Sequence, residues 1–382
     1  MKILLVSSGS GSRGGGEIFL VYLAQGLADR GHEVVVWMPS HPRMDELAQK
    51  CSRAARVIRA DYRNTYDYAA RSLATCFNRA TSRRIAREWK GLQPDVIHLN
   101  KQNLEDGLDL LRATSDCGVP SVCTIHLTQN AVYLGAKVAR LRNWIARNAL
   151  CKHKGVLVAV QEARRAALDG FLGNCARTRT VLNGVPIPDL ERVQDLRVQK
   201  RRELGLKDDD LLVLGLGRLV EQKRPDLFLT AARELHRQFP TTKFLWLGDG
   251  KFSPNWDERV VREKLGGIVS RTDWNSEVLP FLSAADLLLH VAEYEGLPLA
   301  VIEAMSAKVP CAIRRNLTRE MPFFNDSNVI FVDDAAGLAA KLRDGERLAA
   351  IASNGRQLVE EKFSVKTMAI AYERLYLEAA AR

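Results

Sequence analysis

The chain alternates short apolar runs with longer stretches that have helical spacing. The runs at residues 2–7, 211–217 and 287–289 are continuous rather than alternating, which is typical of strands buried on both faces of a parallel sheet. A helix is predicted between residues 17 and 30, followed by a strand at residues 33–37. This order is a βαβ unit, and it predicts an α/β fold with doubly wound parallel sheets.

The same pattern continues along the chain. Further strands are predicted at residues 94–100, 121–129, 155–160, 243–250 and 309–313. Residues 41–93 are interpreted as Arg-rich helices. Residues 186–205 are charged and contain two prolines, so we interpret them as a linker with a short helix. Residues 335–382 are predicted to be helical.

Length and composition narrow the class of protein. A chain of 382 residues is long enough for two or three domains, and its composition is that of an ordinary globular protein. Seven cysteines without a CxxC pair indicate reduced thiols and a cytoplasmic location. No apolar stretch approaches the roughly 18 residues of a membrane-spanning helix. The apolar start is too short for a signal peptide core.

The positive charge is unevenly distributed. The net charge is +11, and residues 50–165 alone contain 21 Lys and Arg against 9 Asp and Glu. Such a stretch suits an anionic membrane surface, an acidic acceptor, or nucleic acid. No recognisable RNA-binding motif accompanies the basic residues, so we do not expect nucleic acid as a partner.

The stretch from Asp286 to Pro310 reads DLLLHVAEYEGLPLAVIEAMSAKVP and combines a strand, a polar loop and a helix. Pro298 suits the first turn of that helix, where its missing N–H group costs nothing. We expect the backbone N–H groups of Gly296 and Leu297 to point outward at the helix start. That arrangement is an anion site, and a phosphate is the obvious occupant.

Two carboxylates accompany this anion site. Glu295 lies just before the helix and Glu303 lies within it, and each can accept hydrogen bonds from a diol. A nucleotide sugar carries a diphosphate between two polyols. The segment closely resembles the E-x7-E motif of glycosyltransferase family 4, whose members have the GT-B fold. The resemblance implies that Glu295 holds the transferred sugar and that Glu303 holds the ribose.

A glycine-rich segment follows the first strand. Gly9, Gly11 and Gly14 spell G-x-G-x-x-G, but no acidic residue ends the second strand, so a dinucleotide site is not predicted. The GGGE sequence at residues 14–17 is similar to the N-terminal loop of family 4 enzymes. The resemblance implies that Gly15 and Gly16 approach the donor through their backbone.

Two cations follow the strand that opens the second half. GRLVEQK contains Arg218 and Lys223, which suit a diphosphate, and it resembles the donor-phosphate segment of the family. Two fixed cations can replace a metal ion in stabilising a leaving diphosphate, so neither a metal nor a cofactor is expected. The Asp208–Asp210 string precedes a strand and is interpreted as a solvated turn rather than a metal site.

Each of two predicted strands ends in a histidine, where open α/β sheets bind ligands. We interpret His98 as structural. The family commonly has a histidine at the position of His126, and the resemblance implies that His126 contacts the transferred sugar.

Together these features predict a GT-B protein with two Rossmann-like domains and a cleft between them. The predicted domains are residues 1–185 on the acceptor side and 186–365 on the nucleotide-sugar side. By resemblance, residues 366–382 form a helix that packs back on the first domain. The predicted location is the cytoplasm, with peripheral attachment to the inner face of the membrane through residues 50–165.

The predicted reaction is transfer of a sugar from a nucleotide diphosphate sugar to a hydroxyl group. The resemblance implies retention of the anomeric configuration, and it favours UDP-sugars over GDP-sugars and glycan or lipid-linked acceptors in cell-surface polysaccharide or lipopolysaccharide assembly. Two alternatives stay open. One is a nucleotide-sugar epimerase on the same fold, and the other is a non-catalytic, basic nucleic-acid-binding protein.

Overall fold

The computed structural model describes residues 1–11, 13–68, 71–76, 78–332 and 335–381. The chain divides into two compact units. Residues Met1–Gly184 and Val365–Arg382 form the first, here called the N-terminal unit. Residues Val185–Ser364 form the second, here called the C-terminal unit.

The N-terminal unit is built on a parallel sheet that has seven strands within the described residues. In chain order these are β1 (Lys2–Ser7), β2 (Glu33–Pro39), β3 (Arg56–Ala60), β4 (Val96–Lys101), β5 (Ser121–Ile125), β6 (Val156–Ala159) and β7 (Arg177–Thr180). Their order across the sheet is β3-β2-β1-β4-β5-β6-β7. The helices between them are α1 (Gly15–Ala28), α2 (Asp45–Cys51), α3 (Arg79–Gly91), α4 (Leu108–Cys117), α5 (Ala139–Cys151) and α6 (Glu162–Leu172).

The C-terminal unit repeats this plan with six strands in the described part of the chain. They are β8 (Leu212–Leu216), β9 (Lys243–Leu247), β10 (Val269–Thr272), β11 (Leu287–His290), β12 (Cys311–Arg314) and β13 (Ile330–Val332). Their order is β10-β9-β8-β11-β12-β13, again all parallel. The accompanying helices are α7 (Leu190–Glu203), α8 (Pro225–Gln238), α9 (Trp256–Arg262), α10 (Leu279–Ala284), α11 (Leu299–Ser306), α12 (Ala335–Leu342) and α13 (Gly345–Lys362).

The continuous apolar runs are buried, as the pattern predicts. Residues 3–6 of β1 are fully buried, because helices cover both faces of a parallel sheet. The strand order of each unit reverses once, between β1 and β4 in the first sheet and between β8 and β11 in the second. Ligands of open α/β sheets bind outside the carboxyl ends of the strands at such a reversal. The topology therefore marks one candidate region in each unit.

The end of the chain belongs to the N-terminal unit. The last helix, α14 (Val365–Ala380), packs against α1, and two of its tyrosines enter the core. The Tyr372 hydroxyl lies 2.7 Å from Thr124 Oγ1, and the Tyr376 hydroxyl bonds to His98 Nδ1. Since Thr124 and His98 lie on β5 and β4, these hydrogen bonds tie α14 to the middle of the sheet.

Several sequence predictions of elements need correction. Residues 41–93 are not all helical, because residues 56–60 form the strand β3 beside β2. The charged segment at residues 186–205 contains a 14-residue helix, α7, rather than a short one. Arg197 and Arg201 of α7 form ion pairs with Asp286, which precedes β11. Those contacts explain how so polar a helix is held against the unit.

The expectation of reduced thiols is wrong for one pair of cysteines. Cys151 at the end of α5 and Cys175 after α6 form a disulfide, with their Cα atoms 5.2 Å apart. Cys51, Cys117, Cys123 and Cys311 are free and buried. A separation of 24 residues without a motif gave no sign of the pair in the sequence. Among the described residues, none of the helices has both the length and the apolar character needed to cross a membrane.

The contact between α1 and α14 depends on a glycine. A Cβ atom at Gly26 would lie 2.7 Å from Val365 Cγ1 and 2.9 Å from Ala369 Cβ, closer than packed side chains come. Gly170 in α6 is the matched control, because a Cβ atom there meets no heavy atom within 4 Å. The two glycines therefore share a helical backbone but differ in the space around them.

We predict that Gly26→Ala lowers the free energy of unfolding by about 1 kcal/mol, because overpacking outweighs the better helix propensity of alanine. Gly170→Ala should raise it by up to about 1 kcal/mol through helix propensity alone. Urea denaturation of both variants measures the difference. Equal stabilisation by the two substitutions would show that α14 does not approach α1 as closely as described.

Candidate functional site

The strand reversal in the C-terminal unit places the end of β11 beside the end of β8. His290 ends β11, a loop covers residues 291–298, and α11 begins at Leu299 with Pro298 as its N-cap. The helix thus begins one residue later than the proline suggests. Val301 and Ile302 donate their N–H groups to the Pro298 carbonyl, at 3.0 and 3.2 Å.

The start of α11 has unused donors. Within the described residues the backbone N–H groups of Leu297, Leu299 and Ala300 have no hydrogen-bond acceptor. Leu297 is buried, and Gly296 precedes it in the loop. Unsatisfied N–H groups at a helix N-terminus favour an anion through their direction and the helix dipole. The helix start therefore suits a phosphate.

Lys223 and Glu295 meet at this edge of the sheet. Lys223 Nζ forms an ion pair with Glu295 Oε1, and His290 Nε2 lies 3.1 Å from the same oxygen. The side chain of Glu295 is 8% exposed and that of Lys223 is 16% exposed, so water screens their attraction weakly. The sequence predicted separate roles for the two residues, and the structure brings their charges into direct contact.

The positive charge of Lys223 determines the ionisation of Glu295. Burial alone would raise the pKa of Glu295, but the Lys223 ammonium outweighs it with help from His290 and lowers the pKa of the carboxyl to about 2. Burial also lowers the pKa of His290, so the ring is neutral near pH 7. Lys223 is therefore the charge that keeps Glu295 ionised, and His290 is a close polar neighbour of the carboxylate.

The backbone around the pair is fixed by two loops that bond to each other. Glu293 donates its N–H group to the Gln222 carbonyl at 2.8 Å, and the Gln222 side chain donates to the Tyr294 carbonyl at 3.0 Å. The turn that carries Lys223 is thus joined to the loop that carries Glu295. The ion pair therefore joins two loops whose backbones already bond to each other.

Arg218 and Glu303 complete the predicted set in this unit. Arg218 is exposed and follows Gly217, whose φ of +143° is accessible to glycine but strained for other residues. The chain therefore turns sharply at the end of β8 and presents the guanidinium to solvent. Glu303 lies on α11, eight residues after Glu295, and is 9% exposed.

In the N-terminal unit the predicted residues Gly16 and His126 are joined by Asn100. His126 Nε2 lies 2.8 Å from Asn100 Oδ1, and Asn100 Nδ2 donates to the Gly16 carbonyl at 2.8 Å. Asn100 lies in β4, His126 follows β5, and Gly16 lies in α1, so all three stand at the carboxyl edge of the sheet. This is the strand reversal between β1 and β4.

Gly15 and Gly16 are the first residues of α1, not the end of a loop as the sequence suggested. Gly14 is the extended N-cap, and its carbonyl accepts the N–H groups of Glu17 and Ile18, both at 3.1 Å. A Cβ atom at Gly16 would collide with the amide end of the Gln102 side chain, which would have to move to make room. Gly15 and Gly16 therefore present a helix N-terminus, which attracts anions.

The chemical state of His126 follows from its surroundings. Burial lowers its pKa to about 4, and Phe19 packs edge-on against the ring with centroids 4.9 Å apart. Because the Asn100 amide oxygen can only accept, Nε2 carries the proton and Nδ1 is an acceptor. A neutral His126 is thus set to accept a hydrogen bond from a hydroxyl group.

The structure confirms that His98 is structural and adds two residues without an assigned role. His98 is fully buried and contacts Thr124 Oγ1 at 2.9 Å and the Tyr376 hydroxyl. Asn100 and His290 are the additions: Asn100 hydrogen-bonds to His126, and His290 lies against Glu295. Both are polar residues at the carboxyl end of a strand, a position that could have singled them out in the sequence.

The pKa of Glu295 predicts how stability depends on pH. A carboxyl whose pKa is about 2 in the folded state and near 4.5 when unfolded stabilises the fold above pH 4.5 and loses that contribution as the pH falls towards 2. As the pH falls through this interval, the wild type should therefore lose stability relative to Glu295→Gln.

Thermal denaturation midpoints of the two proteins at pH 2.5–7 measure this shift. Glu361→Gln, which changes an exposed carboxylate of α13, is the control and should follow the wild type throughout. A difference between wild type and Glu295→Gln that stays constant with pH would contradict the strong pairing with Lys223.

Two protein-family models match the chain. Residues 13–187 match the model described as Glycosyltransferase Family 4, and residues 197–356 match the one described as Glycosyl transferases group 1. Together they span most of the chain. Strands β2–β7 fall within the first match and β8–β13 within the second, whereas β1 precedes the first match.

Known enzymes and structures agree with these matches. The alpha-monoglucosyldiacylglycerol synthase of Acholeplasma laidlawii is 23% identical over 385 residues, which cover 94% of this chain and 92% of that enzyme. The crystal structure of Anabaena Alr3699/HepE in complex with UDP-glucose has a TM-score of 0.78, 17% identity and full coverage of both chains. WaaG, a glycosyltransferase involved in lipopolysaccharide biosynthesis, has a TM-score of 0.72 and 17% identity, with 98% and 99% of the two chains covered.

The sequence matches and the structural similarity lead to the same assignment, which favours glycosyl transfer over the epimerase and the nucleic-acid-binding alternatives. The chain belongs to glycosyltransferase family 4 and is a glycosyltransferase with the GT-B fold.

Proposed function

We propose that the protein transfers a sugar from a nucleotide diphosphate sugar to a hydroxyl group, with retention of configuration. The favoured donor is a UDP-sugar, with a GDP-sugar as second choice. The acceptor is a glycan or a lipid-linked molecule, in the assembly of cell-surface polysaccharide or lipopolysaccharide. The observation that carries this proposal is the contact between Lys223 and Glu295 beside the start of α11.

A nucleotide diphosphate sugar explains why a cation and an anion share this place. Its β-phosphate is bonded directly to the sugar, so the group that binds phosphate and the group that binds sugar hydroxyls must be neighbours. Lys223 supplies the positive charge, and the ionised Glu295 accepts hydrogen bonds from hydroxyl groups. In the free protein the two charges neutralise each other, and a bound donor contacts both side chains instead.

The remaining residues of the C-terminal unit extend this binding mode. Arg218 offers a planar pair of donors to the diphosphate, and the α11 start after Gly296 and Leu297 adds backbone donors. These groups hold the negative charge that develops on the leaving diphosphate, so we propose that the protein itself supplies the stabilisation that a metal ion gives elsewhere. Glu303 accepts hydrogen bonds from the hydroxyl groups of the ribose.

The N-terminal unit supplies neutral groups. Nδ1 of His126 accepts a hydrogen bond from a hydroxyl group of the transferred sugar and so positions the reacting carbon. Gly15 and Gly16 direct the N-terminus of α1 at the donor diphosphate. Asn100 is a positioning residue, since it fixes both the His126 ring and the Gly16 carbonyl.

The relatives support the class of donor and acceptor. The Anabaena protein binds UDP-glucose, the Acholeplasma enzyme is named for a diacylglycerol product, and WaaG is involved in lipopolysaccharide biosynthesis. A lipid-linked acceptor places the enzyme at a membrane. We therefore propose a cytoplasmic protein that meets an anionic membrane surface through residues 50–165, part of which (residues 69–70 and 77) lies outside the described residues.

The donor is tested by ligand-induced stabilisation, with no acceptor needed. We predict that UDP-glucose at about 100 times its dissociation constant stabilises the protein by about 2.7 kcal/mol, and that GDP-mannose and ADP-glucose do so less. Glu303→Gln should reduce the rise in melting temperature, because a carboxylate partner of the ribose is lost. Absence of a rise with all three donors would contradict the proposed donor class.

The role of Glu295 is tested by turnover. We predict that Glu295→Gln lowers the rate of sugar release from the donor by well over tenfold, about 1.4 kcal/mol per factor of ten. Glu221→Gln is the matched control, because Glu221 is an exposed carboxylate on the same turn as Lys223. The rate is measured as UDP formation at saturating donor. Similar losses in the two variants would remove the assigned role of Glu295.

A further inference from the structure

Six large apolar side chains are exposed within residues 132–144 of the N-terminal unit. They are Val132, Tyr133, Leu134, Val138, Leu141 and Trp144, with exposed fractions from 43% to 63%, and we call them the apolar face. In the described part of this unit, only Tyr68 and Leu377 are other large apolar residues with such exposure. A concentration of this kind on a protein surface usually marks an interaction site.

The apolar face is not exposed because its backbone is loose. The Asn130 side chain accepts the N–H groups of Val132 and Tyr133, both at 3.0 Å, and the Asn143 side chain accepts that of Ala131 at 2.8 Å. On α5, Arg142 points inward and forms a buried two-point ion pair with Glu105, at 2.8 and 2.7 Å. The fold therefore holds these apolar groups in solvent.

Val138 adds backbone strain to this arrangement. It is 62% exposed and precedes α5 with a φ of +55°, which is unfavourable for a β-branched residue. Strained backbone persists where the surroundings impose it, and it is concentrated at functional positions. The fold thus maintains the turn before α5 although its backbone conformation is unfavourable for valine.

The charge around the apolar face has a single sign. No Asp or Glu occurs between residues 117 and 161. Lys137, Arg140 and Arg147 are exposed in or next to this stretch of the chain, and neither Lys137 nor Arg140 has an ion-pair partner among the described residues. Exposed Trp and Tyr mixed with Lys and Arg are typical of segments that enter the interfacial zone of an anionic bilayer.

The position of the apolar face is also informative. It begins six residues after His126, in the connection that leaves the carboxyl end of β5. Parallel strands place their carboxyl ends at one edge, so the apolar face starts from the same edge of the sheet as His126, Asn100 and Gly16. A lipid surface against it would bring lipid-linked molecules to that edge.

We propose that the apolar face inserts into an anionic lipid bilayer, with Trp144, Leu141 and Tyr133 entering the headgroup region and Lys137 and Arg140 contacting lipid phosphates. This inference rests on the proposed function only for its purpose, which is to bring the enzyme to a lipid-linked acceptor. It narrows the membrane contact from the broad basic stretch to a single loop and helix start.

The test is flotation of the full chain with vesicles of phosphatidylcholine, alone or with about one third phosphatidylglycerol. The wild type should bind the anionic vesicles and release them as NaCl rises from about 0.05 to 0.5 M, because salt screens the attraction. The double variant Leu141→Ser/Trp144→Ser should bind at least about tenfold less. Val261→Ser is the matched control, since Val261 is an exposed apolar residue (72%) of the C-terminal unit, and it should bind as the wild type does.

A fluorescence measurement makes the test independent of affinity. Trp37, Trp89, Trp246 and Trp256 are buried and Trp274, in the C-terminal unit, is half-buried, whereas Trp144 is 63% exposed. Anionic vesicles should shift the tryptophan emission of the wild type to shorter wavelength. Trp144→Phe should keep the binding, because phenylalanine is also apolar, and should lose most of the shift.

Three results would overturn the inference. They are equal flotation of the double variant and wild type, equal binding to neutral and anionic vesicles, and a change of oligomeric state in the double variant with unchanged flotation, which would assign the face to a second copy. Stabilisation by UDP-glucose distinguishes the two proposals. If UDP-glucose still stabilises a protein that does not bind vesicles, only the membrane inference fails.

Discussion

The contact between Lys223 and Glu295 is the interaction on which the site in the C-terminal unit depends. Two charges taken out of water lose hydration energy that their attraction only partly returns, and apolar residues of similar size would usually be no less stable. Nevertheless, the β8 and β11 loops bond to each other through Gln222 and hold the pair at the edge of the sheet. This costly arrangement is understandable if a ligand that needs a cation and an anion side by side separates the pair and contacts both side chains.

The two units use the same construction for different chemistry. Each sheet reverses its strand order once, and each reversal is followed by a helix N-terminus, α1 in one unit and α11 in the other. In the C-terminal unit the surrounding groups are charged, which suits a diphosphate. In the N-terminal unit they are the neutral His126 and Asn100, and burial keeps the imidazole uncharged. Hydroxyl groups of a sugar need donors and acceptors rather than net charge.

The sequence predicted the fold class well, because buried parallel strands and their helices have distinct apolar patterns. It missed β3, β7, β10 and β13, which are the edge strands of the two sheets. The first three are only partly apolar, and β13 has only three residues. It selected Glu295, Lys223 and His126 from motifs. It could not show that Lys223 and Glu295 pair, or that Asn100 orients His126, because those contacts join residues 72 and 26 positions apart. The disulfide was hidden for the same reason.

The last helix has more influence on the N-terminal site than its place in the chain suggests. Tyr372 of α14 packs edge-on against Phe19, with centroids 5.8 Å apart, and Phe19 packs edge-on against His126. The same tyrosine bonds to Thr124 in β5, two residues before His126. Since closely packed interiors transmit small displacements, the position of the His126 ring depends on α14 being in place. The N-terminal unit is therefore completed only when the chain has returned to it, and the histidine is positioned by residues almost 250 positions away.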